Sequence, residues 1–337
     1  MPRVRIRREG IVWLLNPPLS VILPVYNGEA SVRDAIESVL AQDYRPFEFV
    51  IVDNASTDGT AAVIGDYQGD GRVRVIRNRK TVPRLVNFRL AFDAADPQSH
   101  WFKFIGDDDR LLPGCLEEMV RAGERGGKNV GLVCSYYYNG EKLVKGAVPE
   151  GTERISGPEI LAKMLVEPGT RSTIFSPATV LIPREVYMEA GGFRTDLLHA
   201  DAELFYRILN RYDLAYVHKP LTRVGYHSGS GQALSTLSGD TFSEAYLIRY
   251  RNLKIYDKVK LEWRQVERIK SNLVTDSVGF MLACLAHGRL KPALQHLGQI
   301  PLPALYHLPA SLAYFGLLAL RKFFRREPIR LFSGWKE

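Results

Sequence analysis

Four short apolar runs, spaced by stretches with helical periodicity, constrain the fold of this chain more than any other feature. Leu19 to Val25 (LSVILPV) is apolar, β-branched and runs into an Asn27-Gly28 turn, which predicts a buried strand. From Ala30 to Leu40, Val32, Ala35, Ile36, Val39 and Leu40 fall at helical spacing. Phe47 to Val52 (FEFVIV) predicts a second buried strand, ending on Asp53. Thr57-Asp58-Gly59 is a turn and cap signal, and Thr60 to Tyr67 reads as a helix. Val73 to Ile76 and Trp101 to Ile105 (WFKFI) read as further strands, with a helix over Val86 to Ala94 between them. Strands alternating with helices predict an α/β fold with a doubly wound, mostly parallel sheet. The second half reads as strands at Val130 to Tyr138 and Ala178 to Ile182 and helices at Pro158 to Val166 and Ala200 to Leu209. After about Ser243 the pattern is helical.

In such sheets ligands bind beyond the carboxyl ends of the strands. Tyr26, Asn27, Asp53, Asn54 and the run Asp107, Asp108, Asp109 lie just past those ends and are expected to share one crevice. Three adjacent carboxylates repel one another unless a cation is present. Mg²⁺ or Mn²⁺ suits them, because hard divalent ions take carboxylate and phosphate oxygens together. A solvated acidic loop is the competing reading. The place of the run, at a strand end between Gly106 and Leu111-Leu112-Pro113, favours the cation site. Asp53 at its strand end can accept from ribose hydroxyls or a base N–H. Asp58, beside Gly59, reads as a cap or turn residue instead.

The chain has 337 residues, 46% of them hydrophobic and 24% charged, which suits one large domain with an appendage, or two domains, and excludes wholesale disorder. Its three cysteines, Cys115, Cys134 and Cys284, are too scattered for a disulfide framework or a zinc site and suit a reducing cytosol. The apolar run after the basic N-terminus, Ile11 to Leu15, is too short for a secretory signal. The net charge of +8 is uneven: residues 241–337 hold 16 Lys and Arg against 7 Asp and Glu, and the rest is nearly balanced. A basic tail points to a lipid surface, nucleic acid or another subunit. No recognised nucleic-acid-binding motif is present. No G-x-G-x-x-G follows LSVILPV, which disfavours a dinucleotide oxidoreductase.

The run VILPVYNGEASVRDAIESVLAQDYRPFEFVIVDNASTDGT resembles the opening of the family 2 inverting glycosyltransferases, which have the GT-A fold. FKFIGDDDRLLPGCLE resembles that family's DXD region, and GGFRTDLLHADAELFYRIL its acceptor-side motif. The resemblance covers about Leu19 to Tyr226, and its specificity lies in the three motifs occurring in this order. It implies a GT-A-like sheet flanked by helices, with a helical C-terminal appendage. The implied boundaries are an N-terminal extension (1–18), a catalytic domain (19–240, with a donor half over 19–113 and an acceptor half over 114–240) and a basic helical region (241–337).

The same resemblance implies roles. Pro24, Tyr26, Asn27 and Asp53 line the nucleobase and ribose pocket, with Arg84 and Asn87 on the donor side. Asp107 and Asp109 meet the metal and diphosphate, and Asp108 the ribose or sugar. Asp201 is the catalytic base, and His227 approaches the metal or diphosphate. Two departures stand out. The family's acidic pair is here Ala200-Asp201, and Gly106 replaces a frequent further aspartate. Read on its own, Asp201 is more readily a carboxylate that stabilises a helix N-terminus, and His227 equally a loop residue. The glutamine-arginine-tryptophan motif of processive members is absent, which implies transfer of a single sugar. The expected activity is inverting transfer from a nucleoside-diphosphate sugar, UDP-linked, to a hydroxyl on a lipid-linked acceptor or a growing surface glycan. A non-catalytic nucleotide-sugar-binding or scaffolding protein is the alternative; the retained Asp201 and acidic run favour the enzyme.

Leu302 to Leu320 is mostly apolar, and Arg321, Lys322, Arg325 and Arg326 follow closely. His307, Pro303 and Pro309 argue against a clean bilayer span. An interfacial helix over 302–326 is expected, giving a cytoplasmic protein peripheral to the inner face of the membrane. The other reading of the stretch is a docking helix for the catalytic domain or for a second subunit in a homo-oligomer.

Overall fold

A computed structural model of the protein describes residues 17–167, 175–197, 199–225, 251–286 and 307–311. The described residues form two compact units. The first holds the sheet and runs through residue 161, then 175–196 and 200–225. Its elements, in order, begin with β1 (Leu19–Val25), α1 (Val32–Leu40), β2 (Phe47–Asp53), α2 (Thr60–Gly65), β3 (Val73–Arg77), α3 (Arg84–Asp93) and β4 (Trp101–Phe104). These are the strands and helices that the apolar runs predict. All seven residues of β1 are buried, as a continuous apolar run demands of a central strand. Helix α1 buries Val32, Ala35, Ile36 and Val39, the stripe expected from their spacing.

The chain continues through β5 (Arg110–Leu111), α4 (Cys115–Gly126), β6 (Val130–Asn139), β7 (Lys142–Val144) and β8 (Arg154–Ile155). Helix α5 (Gly157–Val166), a 3₁₀ turn at Pro177–Thr179, β9 (Val180–Pro183), α6 (Arg184–Glu189), α7 (Ala200–Leu209) and β10 (Asp213–Val224) follow. The strand order is β3-β2-β1-β4-β9-β6-β10-β5, with β7 beside β6 and β8 beside β10. The block β3-β2-β1-β4 is parallel, and β6 pairs β10 in parallel. Strand β9 runs antiparallel between β4 and β6, so the second half of the sheet is mixed. The apolar residues of β1, β2, α1 and α4 share one core, in which Leu19, Val21, Phe49, Ile51, Leu116 and Met119 are fully buried.

The second unit contains residues 162–167, Leu197, His199, 251–286 and 307–311. It is built on α8 (Trp263–Ala286), preceded by a 3₁₀ turn at Arg251–Lys254. The helical reading of the C-terminal region holds over α8. Most of 302–326 lies outside the described residues; the described part, 307–311, packs on α8. Leu308 lies against Val274 and Val278, His307 Nε2 is 3.3 Å from Glu267 Oε2, and Ser311 Oγ is 3.0 Å from Thr275 Oγ1. Among the described residues no helix is long and apolar enough to cross a membrane.

Candidate active site

Strand register puts the site at one edge of the sheet. Val25, Asp53 and Arg77, the last residues of β1, β2 and β3, stand side by side in one row. Strand β1 has β2 on one side and β4 on the other, so the chain order reverses there, the place where a crevice opens in such a sheet. The loops that leave β1 and β2 hold each other. Asn27 accepts from the Thr57 N–H at 2.9 Å, and its own N–H donates to Ser56 Oγ at 2.9 Å. The Gly28 N–H donates to Thr60 Oγ1 at 2.8 Å, and Glu29 accepts from the Gly59 N–H at 2.9 Å. Asp58 accepts from the Glu29 and Thr60 N–H groups, the turn role that its sequence context allows. Asn27 adopts φ 53°, a left-handed conformation that asparagine tolerates.

Asp53 is 1% exposed. Its Oδ1 accepts from the Ser56 N–H at 2.9 Å. Its Oδ2 is buried without a hydrogen-bond partner, although Arg77 Nε lies 3.4 Å away. A buried carboxylate oxygen that is ion-paired but accepts no hydrogen bond is costly unless a donor arrives from elsewhere. Tyr26, 47% exposed, follows Val25, the strand partner of Asp53, while Pro24 is buried within β1.

The three aspartates differ in burial and in what they touch. Asp109 is turned inward, 6% exposed, and accepts from the Gly106 N–H at 2.9 Å and the Gly225 N–H at 3.1 Å. Burial, then the charges of Asp108 and Asp107, push its carboxyl up to about 7, against the pull of those two N–H groups. Asp107 and Asp108 are half-buried. Asp107 Oδ2 accepts a long 3.5 Å contact from Ser31 Oγ and fills the space that a side chain at Gly28 would need. The Asp108 backbone lies in the corresponding space at Gly225. The acidic loop therefore sits between two glycine backbones. Arg110 adds a brace: it pairs with Asp34 of α1 and donates to the Asp108 and Asp109 carbonyls at 3.4 Å each.

Under this loop Lys103 is fully buried in β4. Its Nζ donates to the Ala178 carbonyl and, at 3.4 Å, to that of Val180. Burial lowers its affinity for a proton, and the neighbouring Cys115, Cys134 and Asp109 partly restore it.

Asp201 lies half-buried in the first turn of α7. The helix is fixed by an ion pair two residues further on. Glu203, 2% exposed, pairs with Arg207 at 2.7 and 2.8 Å, and Arg207 also donates to the carbonyls of Ala190 and Gly192. Arg89 of α3 reaches the Gly191 carbonyl at 3.2 Å. The turn at Gly191 and Gly192, where φ is 78° and 67°, is thus held from both sides. Phe193 closes it by packing on Phe92 and Tyr187.

These features carry the marks of one family. Residues 20–189, half of the chain, match the family described as "Glycosyl transferase family 2". The chain belongs to glycosyl transferase family 2. Within it, the chain is 32% identical over 113 residues to the "GalNAc(5)-diNAcBac-PP-undecaprenol beta-1,3-glucosyltransferase" of Campylobacter jejuni, covering 33% of this chain and 36% of that protein. Longer matches to other curated relatives, at 24–29% identity, span 61–66% of those proteins' own length. S. aureus TarS 1-349, solved in complex with UDP-GlcNAc, shares the fold at a TM-score of 0.63 and 17% identity, over 93% of both chains. Mannosyltransferase PcManGT from Pyrobaculum calidifontis, solved with GDP-Man and Mn2+, matches at a TM-score of 0.54 and 18% identity, over 92% of this chain and 83% of that one. The family 2 and GT-A readings of the sequence are borne out, and with them the reading of an enzyme.

Measured against the family pattern, the expected site residues fall into groups. Pro24, Tyr26, Asn27 and Asp53 gather at the ends of β1 and β2, and Asp107 reaches the β1 loop at Gly28 and Ser31. Asn87 is buried, accepts from Asn78 Nδ2 at 2.8 Å and donates to the Val52 carbonyl at 3.3 Å, so it ties α3 to β2. Arg84 is exposed, with its guanidinium 5.3 Å from the Phe88 ring centroid. His227 lies outside the described residues. Tyr136 and Tyr137 are buried, and Tyr138 lies under Arg223. The Gly106 departure has a steric cause: a side chain there would begin 2.7 Å from Asp109 Oδ2. Sequence reasoning missed Gly28, Arg110, Lys103 and Gly225. The signal for Lys103 was visible, a lone cation in an apolar strand.

Proposed function

We propose that this family 2 enzyme is a metal-dependent, inverting transferase that moves one sugar from a UDP-sugar to a hydroxyl of a lipid-linked acceptor or surface glycan. The observation that carries the donor reading is Asp53 Oδ2, ion-paired with Arg77 but accepting no hydrogen bond, in the row that ends β1, β2 and β3. It suits the N–H of a nucleobase. The acceptor class follows the Campylobacter relative's name, and the donor class the UDP-GlcNAc complex of TarS.

Among the described residues no three His, Cys, Asp or Glu side chains form a closed metal cage. Two half-buried carboxylates beside a third that is buried and turned away suit a cation that takes its other ligands from a diphosphate. With Asp109 engaged by two N–H groups, Asp107 and Asp108 are the better ligands, and Asp109 becomes the residue that shapes the loop. A Mg²⁺ or Mn²⁺ held there supplies charge neutralisation for the departing nucleoside diphosphate.

Asp201 takes the proton of the acceptor hydroxyl. The acceptor oxygen bonds to the anomeric carbon as the bond to the diphosphate breaks, and attack opposite the leaving group inverts the centre. The deciding experiment uses Asp201→Asn in a nucleotide-sugar transfer assay with Mn²⁺. Donor affinity stays near wild type, and turnover falls by roughly 10² to 10⁴, the span that general-base catalysis supplies. Lost donor affinity with turnover intact at saturation makes Asp201 a binding residue and overturns the mechanism.

A further inference from the structure

The second unit carries an exposed surface rich in cations. Between residues 254 and 268 the exposed cations are Lys254, Lys258, Lys260, Arg264 and Arg268, against exposed Asp257 and Glu262. Two large apolar side chains stand among them: Ile255 is 56% exposed and Trp263 72%. An indole left this open in water is unusual, because Trp is on average a highly buried side chain.

The first turn of α8 adds to the positive character. It holds Trp263 and Arg264 and no acidic residue, although a helix N-terminus favours acids there. Arg264 lies 5.9 Å from the Trp263 ring centroid. The inner face of α8 is committed elsewhere, with Ile269, Leu273, Val274 and Val278 buried. The residues 307–311, inside the stretch that the sequence marks as interfacial, pack on α8 through His307, Leu308 and Ser311. The cation-rich, aromatic surface of 254–268 stays outward.

We propose that residues 254–268 are a docking surface for an anionic lipid bilayer, with Trp263 and Ile255 entering the interfacial layer and the cations facing headgroup phosphates. Both terms of interfacial binding are present, apolar area and charge complementarity. A nucleic acid would satisfy the cations but leave Ile255 without a partner, whereas an indole with a polar edge suits the headgroup level.

The test is sedimentation of the full chain with phosphatidylglycerol–phosphatidylcholine vesicles against pure phosphatidylcholine vesicles, at low and high salt. Binding to the anionic vesicles, weakened by salt, is expected. Replacing Lys258 and Lys260 by Gln lowers partitioning by roughly 25-fold, about fivefold per cation. Trp263→Ala lowers it by roughly tenfold. Brominated lipid quenches the wild-type fluorescence, and most of that quenching is lost in Trp263→Phe, which still folds and binds. Three results overturn the proposal: no preference for anionic vesicles at low salt, binding that these variants leave unchanged while reversal of Arg321, Lys322, Arg325 and Arg326 abolishes it, or duplex DNA displacing the protein from vesicles at equal charge concentration.

Discussion

Asp53 and Asp109 hold identical carboxylates in opposite settings. Asp53 keeps one oxygen for the Ser56 N–H and leaves the other without a donor. Asp53→Asn retains the first bond and spoils the second, so the fold should survive while donor affinity drops by roughly 10- to 100-fold, the worth of a hydrogen bond to a charged group. Calorimetric titration with UDP and Mn²⁺ measures it. Asp109 is the reverse case, since both its oxygens are engaged by backbone. Its folded carboxyl holds a proton up to about pH 7, well above the ordinary carboxylate value of 3.8. In metal-free protein this group therefore lowers stability progressively as pH rises from about 4 to 7, where the unfolded chain is already ionised. Comparing wild type with Asp109→Asn in chelator cancels the other carboxylates. The melting temperature of the variant relative to wild type should rise across that window, and Mn²⁺ should shrink the rise. The sequence revealed Asp53, whose position at the end of an apolar strand is a local property. It did not distinguish the three neighbouring acids, because the N–H group that turns Asp109 inward belongs to Gly225, 116 positions later.

Elements of the first half were legible because each one is defined by its own periodicity. The run LSVILPV needs no distant partner to declare itself a buried strand. Helix α4 went unplaced, although Leu116, Met119 and Val120 have helical spacing. Strand β10 was harder: Pro220 argues against a strand, and the chain accommodates it at register shifts between Val217 and Thr222. Between elements, two buried ionic devices make separable predictions. Arg207→Ala leaves Glu203 as a buried, unpaired carboxylate, and should destabilise the protein by about 3–5 kcal/mol in urea unfolding. Pairing it with Glu203→Gln should recover part of that loss. Lys103→Met replaces a buried cation with an apolar chain of similar reach. The Ala178 carbonyl keeps Thr222 Oγ1 as a donor at 3.3 Å, so unfolding free energy should change by less than about 1.5 kcal/mol. A large loss would show that the cation itself is needed beneath the acidic loop.

On the scale of the molecule, the site is assembled from the loops after β1, β2 and β4 and from the end of β10. A donor that bridges them should stabilise the fold as a whole. UDP with Mn²⁺ at a hundredfold excess over its dissociation constant contributes about 2.7 kcal/mol, a rise of roughly 5 °C in melting temperature. Chelator should remove most of it, and an unchanged melting curve would count against the metal-assisted donor site. The parallel block of the sheet could be read along the sequence. The mixed half depends on pairings across long separations, such as β6 with β10, which no local pattern announces. The space at Gly106, taken by the Asp109 carboxylate, bears on how this lineage can change. Restoring the family's frequent aspartate at 106 by a single substitution would collide with a carboxylate that Gly225 holds in place. An acid at 106 needs room made first at Asp109, by a smaller side chain there. The residue at 106 and the side chain at 109 are therefore coupled, and the cost of changing either depends on whether the other has already changed.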